Sequence, residues 1–178
     1  MGWITRQDLR LYLELRRHRP SPRWERVLRI YTRIGDGYLC AVVLLILWLS
    51  HPWVLLAPIL GEALFTAALS LALYWMLKLT FRRPRPSEVF ERVVAEVPPL
   101  DRWSFPSGHV MNNLSVALSL CYHFPLLGTT ATLVPLSWGV LRVYFGVHYV
   151  SDILGGFVLA LGCAVLGGQL YPLMPWVL

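Results

Sequence analysis

The sequence predicts an all-α fold, a polytopic membrane bundle of about five transmembrane helices preceded by an N-terminal amphipathic interfacial helix. Three observations predict it. The 178-residue chain is 56% hydrophobic, and its mean hydropathy of +0.55 is too high for an ordinary soluble domain. Apolar runs long enough for about 30 Å of hydrocarbon fall near 38–57, 61–79, 107–125, 128–145 and 150–171. With five spans, all 16 Lys and Arg fall on one face.

The elements follow in order. Residues 3–19 are rich in Arg and Leu and read as an interfacial segment. Ser21-Pro22 predicts a helix start, Ser as cap and Pro in the first turn. Trp24, Val27, Leu28, Tyr31 and Ile34 then recur at helical spacing, with Arg23, Arg26, Arg29 and Arg33 between them. This is an amphipathic helix expected to lie on anionic headgroups. A nucleic-acid role for its arginines is disfavoured because the helix leads straight into a span. Gly35-Asp36-Gly37 turns the chain into the first span, where Asp36 either caps that helix or faces the basic cluster. Residues 1–36 are thus an interfacial segment and 37–178 one transmembrane domain. The late start of the first apolar run argues against a cleaved signal peptide.

Connections near His51-Pro52 and His123-Phe124-Pro125 carry no Lys or Arg. Lys78 closes the second span, and Pro84 and Pro86 stop its helix. The polar segment 87–105 is the one long loop, and such loops usually carry function. Pro135 predicts a kink in the fourth span, and Gly155, Gly156 and Gly162 predict close helix contacts in the fifth. Cys40, Cys121 and Cys163 fall in different spans as apolar packing residues, and no metal-ligand spacing is present.

Four segments at span ends converge on one side: Lys78 to Pro86, Pro106 to His109, Arg142, and His148 to Asp152. Ionisable groups at membrane depth are functional candidates by default. Lys78, Arg85 and Arg142, without an equal set of acids, suit an anion with several oxygens. Arg82 and Arg83 read as well as headgroup contacts. Ser107-Gly108 opens a helix whose free N–H groups suit phosphate. His148 and Asp152, four apart, share a helix face, and a carboxylate can hold an imidazole in one tautomer. With His109, two histidines are available, one to attack phosphorus and one to protonate the leaving oxygen. His18, His51 and His123 are read as non-catalytic.

These residues resemble the type 2 phosphatidic acid phosphatases, the PAP2 superfamily, over about 35–171. The family pattern is Lys, six residues, Arg-Pro (Lys78, Arg85, Pro86); Pro-Ser-Gly-His (Pro106 to His109); and Ser-Arg, five residues, His, three residues, Asp (Arg142, His148, Asp152). One position departs, with Leu141 where the family has Ser. The resemblance implies a metal-independent, cofactor-free phosphatase with a phosphohistidine intermediate. It implies His148 as nucleophile, Asp152 orienting it and His109 protonating the leaving group. Lys78, Arg85, Arg142, Ser107 and the Gly108 backbone would hold the phosphoryl oxygens. It also implies a multi-pass protein of the bacterial cytoplasmic membrane whose partners are the bilayer and a lipid phosphate or diphosphate. A site at span ends favours such a lipid, because its tails can stay in the bilayer.

The charge bias alone would put the site in the cytoplasm, whereas the resemblance implies an outward-facing site on six spans, one more N-terminal span than this chain has. A lipid-phosphate binding or transport protein on the same scaffold is the alternative. It would place ionisable groups near mid-bilayer rather than at one surface. Vanadate-dependent haloperoxidases share the phosphate motifs but are soluble and larger.

Overall fold

The computed structural model describes residues 3–50 and 53–175. In chain order the helices are α1 (Trp3–Arg17), α2 (Pro22–Ile34), α3 (Tyr38–Ser50), α4 (Trp53–Phe81), α5 (Pro86–Val89), α6 (Gly108–His123), α7 (Pro125–Tyr144) and α8 (Val150–Leu170). A 3₁₀ turn, Tyr171–Leu173, follows. The described residues contain no strand.

α6 is the inner helix. It packs against α4, α7 and α8 and buries Val110, Met111, Leu114, Val116 and Leu120. Its polar residues turn inward too, and Ser115 donates to the Met111 carbonyl at 2.6 Å, back-bonding within the helix. α4, α7 and α8 instead leave apolar side chains such as Leu64, Met76, Leu133, Val158 and Val165 on the outside. That is the face a bilayer solvates. The chain is therefore an integral membrane protein. Among the described residues three helical segments are long and apolar enough to cross alone: Leu56–Val89, Pro125–Tyr144 and Val150–Leu173. α3 and α6, at 13 and 16 residues, occupy the first and third expected spans but are shorter.

Several local expectations shift. α4 runs unbroken through Pro58 for 29 residues, about 44 Å at 1.5 Å per residue, so no break separates 57 from 61. Ser21 precedes α2 in extended conformation with Pro22 behind it, yet its hydroxyl makes no cap bond. Pro135 lies inside α7, which continues through it. An added Cβ at Gly155 would lie 2.4 Å from the Phe105 ring, while at Gly162 it would meet nothing within 4 Å. Gly155 serves a close contact and Gly162 does not. Cys163 is buried beside Tyr74 and Met111, Cys121 is half-buried, and both are free thiols. The side chain of Cys40, and His51 entirely, lie outside the described residues.

The N-terminal helices dock on the bundle. Tyr31 shares a 2.7 Å hydrogen bond with Ser137, and Leu15 and Leu28 pack on Tyr144, Phe145 and Val147. Trp24 and Ile30 stay exposed at 65% and 61%, the face left for the bilayer surface. Not all the arginines are free for headgroups, since Arg19 and Arg29 donate to Glu96 at 2.8 and 3.0 Å and Arg16 also bonds it. Glu96 belongs to the long loop, which is tied down on its other side by Glu96 N–H to the Phe145 carbonyl at 3.1 Å and Ser104 N–H to the Arg83 carbonyl at 2.8 Å.

Candidate active site

All eight residues singled out at the span ends gather at one end of the bundle. Lys78, in the last turn of α4, is fully buried. Its Nζ donates to Asp101 Oδ1 at 2.7 Å and to the Trp103 carbonyl. Arg85 stands between the two prolines that end α4 and open α5. Its Nη1 donates to the Val147 carbonyl at 2.7 Å, and its Nη2 to the Asp101 carbonyl at 2.8 Å and to Oδ1 at 3.1 Å. Backbone carbonyls on two sides thus fix the guanidinium plane.

Asp101 changes the electrostatic reading. Lys78 and Arg85 are not without an acid, because this one carboxylate bonds both, and Tyr74 Oη donates to it as well. Burial pushes the Asp101 carboxyl up, but the hydrogen bonds from Lys78 and Tyr74 and the charges of Lys78 and Arg85 outweigh it and hold it below the usual range.

Arg142 differs. It sits in the last turn of α7 at 2% exposure, and its Nε has no hydrogen-bond partner among the described residues. Ser107 Oγ, just ahead of α6, is likewise buried without one. Buried polar groups are nearly always satisfied, so these two are donors with capacity to spare, as are Thr32, Thr66 and Trp138 elsewhere among the described residues. Gly108 opens α6 against Tyr74, where an added Cβ would lie 2.8 Å from the ring.

His148 is placed by a tight turn. After α7 the Arg142 carbonyl accepts Val147 N–H at 3.1 Å and His148 N–H at 3.3 Å. Gly146 allows this with φ +72, and an added Cβ there would lie 2.6 Å from the Val94 carbonyl oxygen. His148 Nδ1 then faces Asp152 Oδ2 at 3.4 Å, and Nε2 lies 3.5 Å from Arg85 Nη1. One ring nitrogen meets the carboxylate and the other meets the cations. Burial first, then the charges of Arg85, Arg142 and Lys78, hold His148 well below the usual histidine range. It is neutral at neutral pH.

His109, one residue into α6, is 3% exposed. Its Nε2 lies 3.1 Å from the Thr32 carbonyl at the end of α2 and 3.0 Å from Asp36 Oδ1. Asp36 therefore turns toward His109, and the charges of Arg142 and Arg33 act on it as well. Gly35 lets the turn pass, since a Cβ there would meet the His109 and Trp138 rings at 2.7 Å. Asn113 Nδ2 pins it with a 2.9 Å bond to the Gly35 carbonyl.

Sequence reasoning missed Asp101 and Asp8, and it named Asp36 and Arg83 without their partners His109 and Asp152. Arg83 Nη1 bonds Asp152 Oδ1 at 2.7 Å, and its Nη2 bonds Asp8 Oδ2 at 3.1 Å. Arg82 is exposed and only reaches its own helix, at the Leu79 carbonyl 2.9 Å away. The available signal was charge balance, because buried cations call for acids and the loop 87–105 offers Asp101 next to it. Leu141, the departure from the family pattern, packs with Tyr144, Phe145, Val147 and Val97, in an apolar cluster. His123 pairs with Glu62 at 3.0 Å on the opposite end, and His18 lines an apolar groove outside this cluster. Among the described residues no three His, Cys, Asp or Glu gather as a metal-binding group.

The arrangement places a neutral imidazole nitrogen against fixed cations, with a second histidine beside it. Comparison with known proteins gives the family. Residues 59–173 match the family described as the PAP2 superfamily. Phosphatidylglycerophosphatase B of Bacillus subtilis is 41% identical over 88 residues, 42% of this chain and 43% of that protein. Undecaprenyl-diphosphatase BcrC of the same organism is 30% identical over 126 residues, 68% of this chain and 62% of that one. The chain thus spans less than two thirds of either relative. Among solved structures, Aquifex aeolicus LpxE superposes with a TM-score of 0.77 at 23% identity, covering 90% of this chain and 94% of that one. A transmembrane PAP2-type phosphatidylglycerolphosphate phosphatase from Bacillus subtilis gives 0.73 at 25% identity, covering 95% and 86%.

Proposed function

The chain belongs to the PAP2 superfamily, and we propose that it hydrolyses a lipid phosphate or diphosphate through a phosphohistidine on His148. The observation that carries this is the division of the His148 ring. With the Nδ1 proton directed at Asp152 Oδ2, the Nε2 lone pair points among Arg85, Arg142 and Lys78. Nε2 attacks phosphorus in line with the lipid oxygen, the P–O bond breaks, and His109 gives its proton to that oxygen. Water then attacks the phosphohistidine, His109 takes the water's proton, and inorganic phosphate leaves with His148 restored. Arg142, Ser107 and Arg85 hold the equatorial oxygens, which is most of what phosphoryl transfer requires. Lys78 does so when Asp101 shares it with the anion. Asp36 Oδ1, 3.0 Å from His109 Nε2, orients that ring. The positive charge comes from the side chains, so activity is expected to survive EDTA.

The lipid has a way in. A cavity of about 350 Å³ lies between α4 and α6, lined by Asp36, Leu71, Tyr74, Asp101, His109 and Asn112 among others. Leu71 and Trp75 at its edge are 49% and 46% exposed on the bilayer side of α4. Tails can stay among lipids while the phosphate passes Asp101, with the leaving oxygen on the His109 side. The relatives named for phosphatidylglycerophosphate and undecaprenyl diphosphate put those two classes first, with phosphatidic acid and lipid A phosphates behind them.

The test is phosphate release by detergent-purified protein in EDTA on those four lipid classes, with His148→Ala as control. Release from one class, abolished in the variant, supports the reading; release that persists in His148→Ala overturns it. The site is proposed to face outward across a bacterial cytoplasmic membrane. Ala95 is exposed on the long loop, so an Ala95→Cys protein in intact cells should react with an impermeant maleimide. Labelling only after lysis would reverse the orientation.

A further inference from the structure

We propose that Asp8 of α1 and Arg83 are positioning residues for the His148–Asp152 pair, so that the interfacial helix, outside the family-matched segment, is built into the reaction centre. This rests on the proposed role of that pair. Asp152 is fully buried, and its two oxygens are held separately. Oδ2 accepts Tyr149 N–H at 2.9 Å and faces His148, while Oδ1 takes Arg83 Nη1 at 2.7 Å. Without Arg83 the carboxylate would lose its counter-charge in a dry site and be free to turn about its terminal torsion. Oδ2 would then leave the imidazole.

Arg83 is itself fixed from three directions. Its guanidinium lies over the Tyr149 ring, 3.9 Å from the centroid. Nη1 also reaches Ser151 Oγ at 2.8 Å, and Nη2 reaches Asp8 Oδ2 at 3.1 Å. Asp8 is the far anchor, 5% exposed. It accepts Ser151 N–H at 3.0 Å on Oδ1 and the Ser151 hydroxyl at 2.7 Å on Oδ2. Ser151 is the second residue of α8, whose first N–H groups have no partner inside the helix. A helix start is ordinarily capped from the residue just before it. Here a carboxylate 143 residues earlier in the chain does so, complementing the helix dipole. An acid meant only to anchor an interfacial helix would sit in water or at headgroups. Asp8 instead spends both oxygens on α8 and Arg83, three links from His148.

The experiment uses the full-length protein with Asp8→Asn, Arg83→Gln, Arg83→Lys, Asp152→Asn and Arg83→Gln/Asp152→Asn, and exposed Arg82→Gln as control. Turnover is measured on phosphatidylglycerophosphate micelles and on p-nitrophenyl phosphate. The His148 Nδ1 proton is read by low-field NMR in the resting protein. Arg83→Gln should lower kcat by about 10²-fold or more, approaching Asp152→Asn, with KM moving less than about threefold, on both substrates because His148 serves both. Asp8→Asn should cost about tenfold, and Arg83→Lys should recover part of the loss. The double variant should be no slower than Asp152→Asn alone, since both act through one carboxylate. The low-field proton should vanish or shift in Arg83→Gln and stay in Arg82→Gln. Turnover of Arg83→Gln within about twofold of wild type, or losses that multiply in the double variant, would overturn the proposal. If wild type is inactive on both substrates, turnover is read on the other three lipid classes, and inactivity on all of them overturns the phosphatase reading by itself. The NMR signal then still decides, because an unchanged His148 proton in Arg83→Gln refutes the positioning role.

Discussion

The two ends of this bundle are built from the same helices and differ in almost every other respect. At the end where α3 meets α4 and α6 meets α7, Leu47, Leu56, Leu60, Ala63, Val116 and Leu120 form an apolar cluster. The ion pair found there, His123–Glu62, is partly exposed. At the opposite end Lys78, Arg85, Arg142, His109, His148, Asp101 and Asp152 share one buried neighbourhood. Burying so many ionisable groups is costly in any protein and more so in a membrane. A bundle needing only stability would build both ends like the first. Under the proposed function the contrast gives packing to one end and chemistry to the other, and mutations should separate them.

The largest effect is expected at the histidine. His148→Ala should abolish turnover, and Asp152→Asn should cost about 10³-fold, somewhat less than the 10⁴ seen when a serine protease loses its Asp. At the far end, His123→Ala should leave turnover within about twofold, as its pair with Glu62 lies at the end opposite His148. A severe kcat loss from His123→Ala, per folded molecule, would break the contrast.

Next in size is Arg142→Gln. Removing one preorganised donor from a developing anion should lower kcat/KM by about 10²–10³-fold. It should also weaken orthovanadate inhibition in parallel, measured on the same preparation.

Stability should behave the other way round. Leu120→Ala empties part of the apolar cluster and should cost roughly 2–4 kcal/mol. The thermal midpoint in detergent should fall while kcat per folded molecule stays unchanged.

The smallest and sharpest test is pH. The His148 pKa is depressed in the folded protein, so the unfolded chain takes up a proton that the folded one refuses. That contribution to stability is present above about pH 6.5 and is lost as pH falls below it. In the folded protein the His148 ring should show no protonation by NMR between about pH 7 and 6. A midpoint near 6.5 would mean that the ring is not buried among Arg85 and Arg142.

Much of the reactive end was legible beforehand because the motifs lie where helices start and stop. Proline and glycine placed Lys78, Ser107-Gly108 and His148 at helix ends, and a spacing of four put Asp152 under His148. The acids were not legible. Asp101 is 23 residues from Lys78, Asp36 sits in a turn between helices, and Asp8 is 75 residues from Arg83. Each is brought in by packing, and no local period announces it. The unbroken α4 was missed for a related reason. The bounds at 57 and 61 followed the apolar runs, and Pro58 between them does not end the helix, since neighbouring helices in a membrane can satisfy the freed carbonyl. The N-terminal arginines read as headgroup contacts because helical spacing shows which face they share, and cannot show that Glu96 arrives from a distant loop.

The most direct measurement is acid-stable versus acid-labile trapping of the enzyme during turnover of a ³²P-labelled lipid phosphate. The account predicts a phosphoenzyme that is stable in base, labile in acid, and mapped by peptide mass spectrometry to His148, absent in His148→Ala and accumulating normally in His123→Ala. Label on another residue, or steady turnover with no phosphoenzyme in a rapid quench, would contradict it.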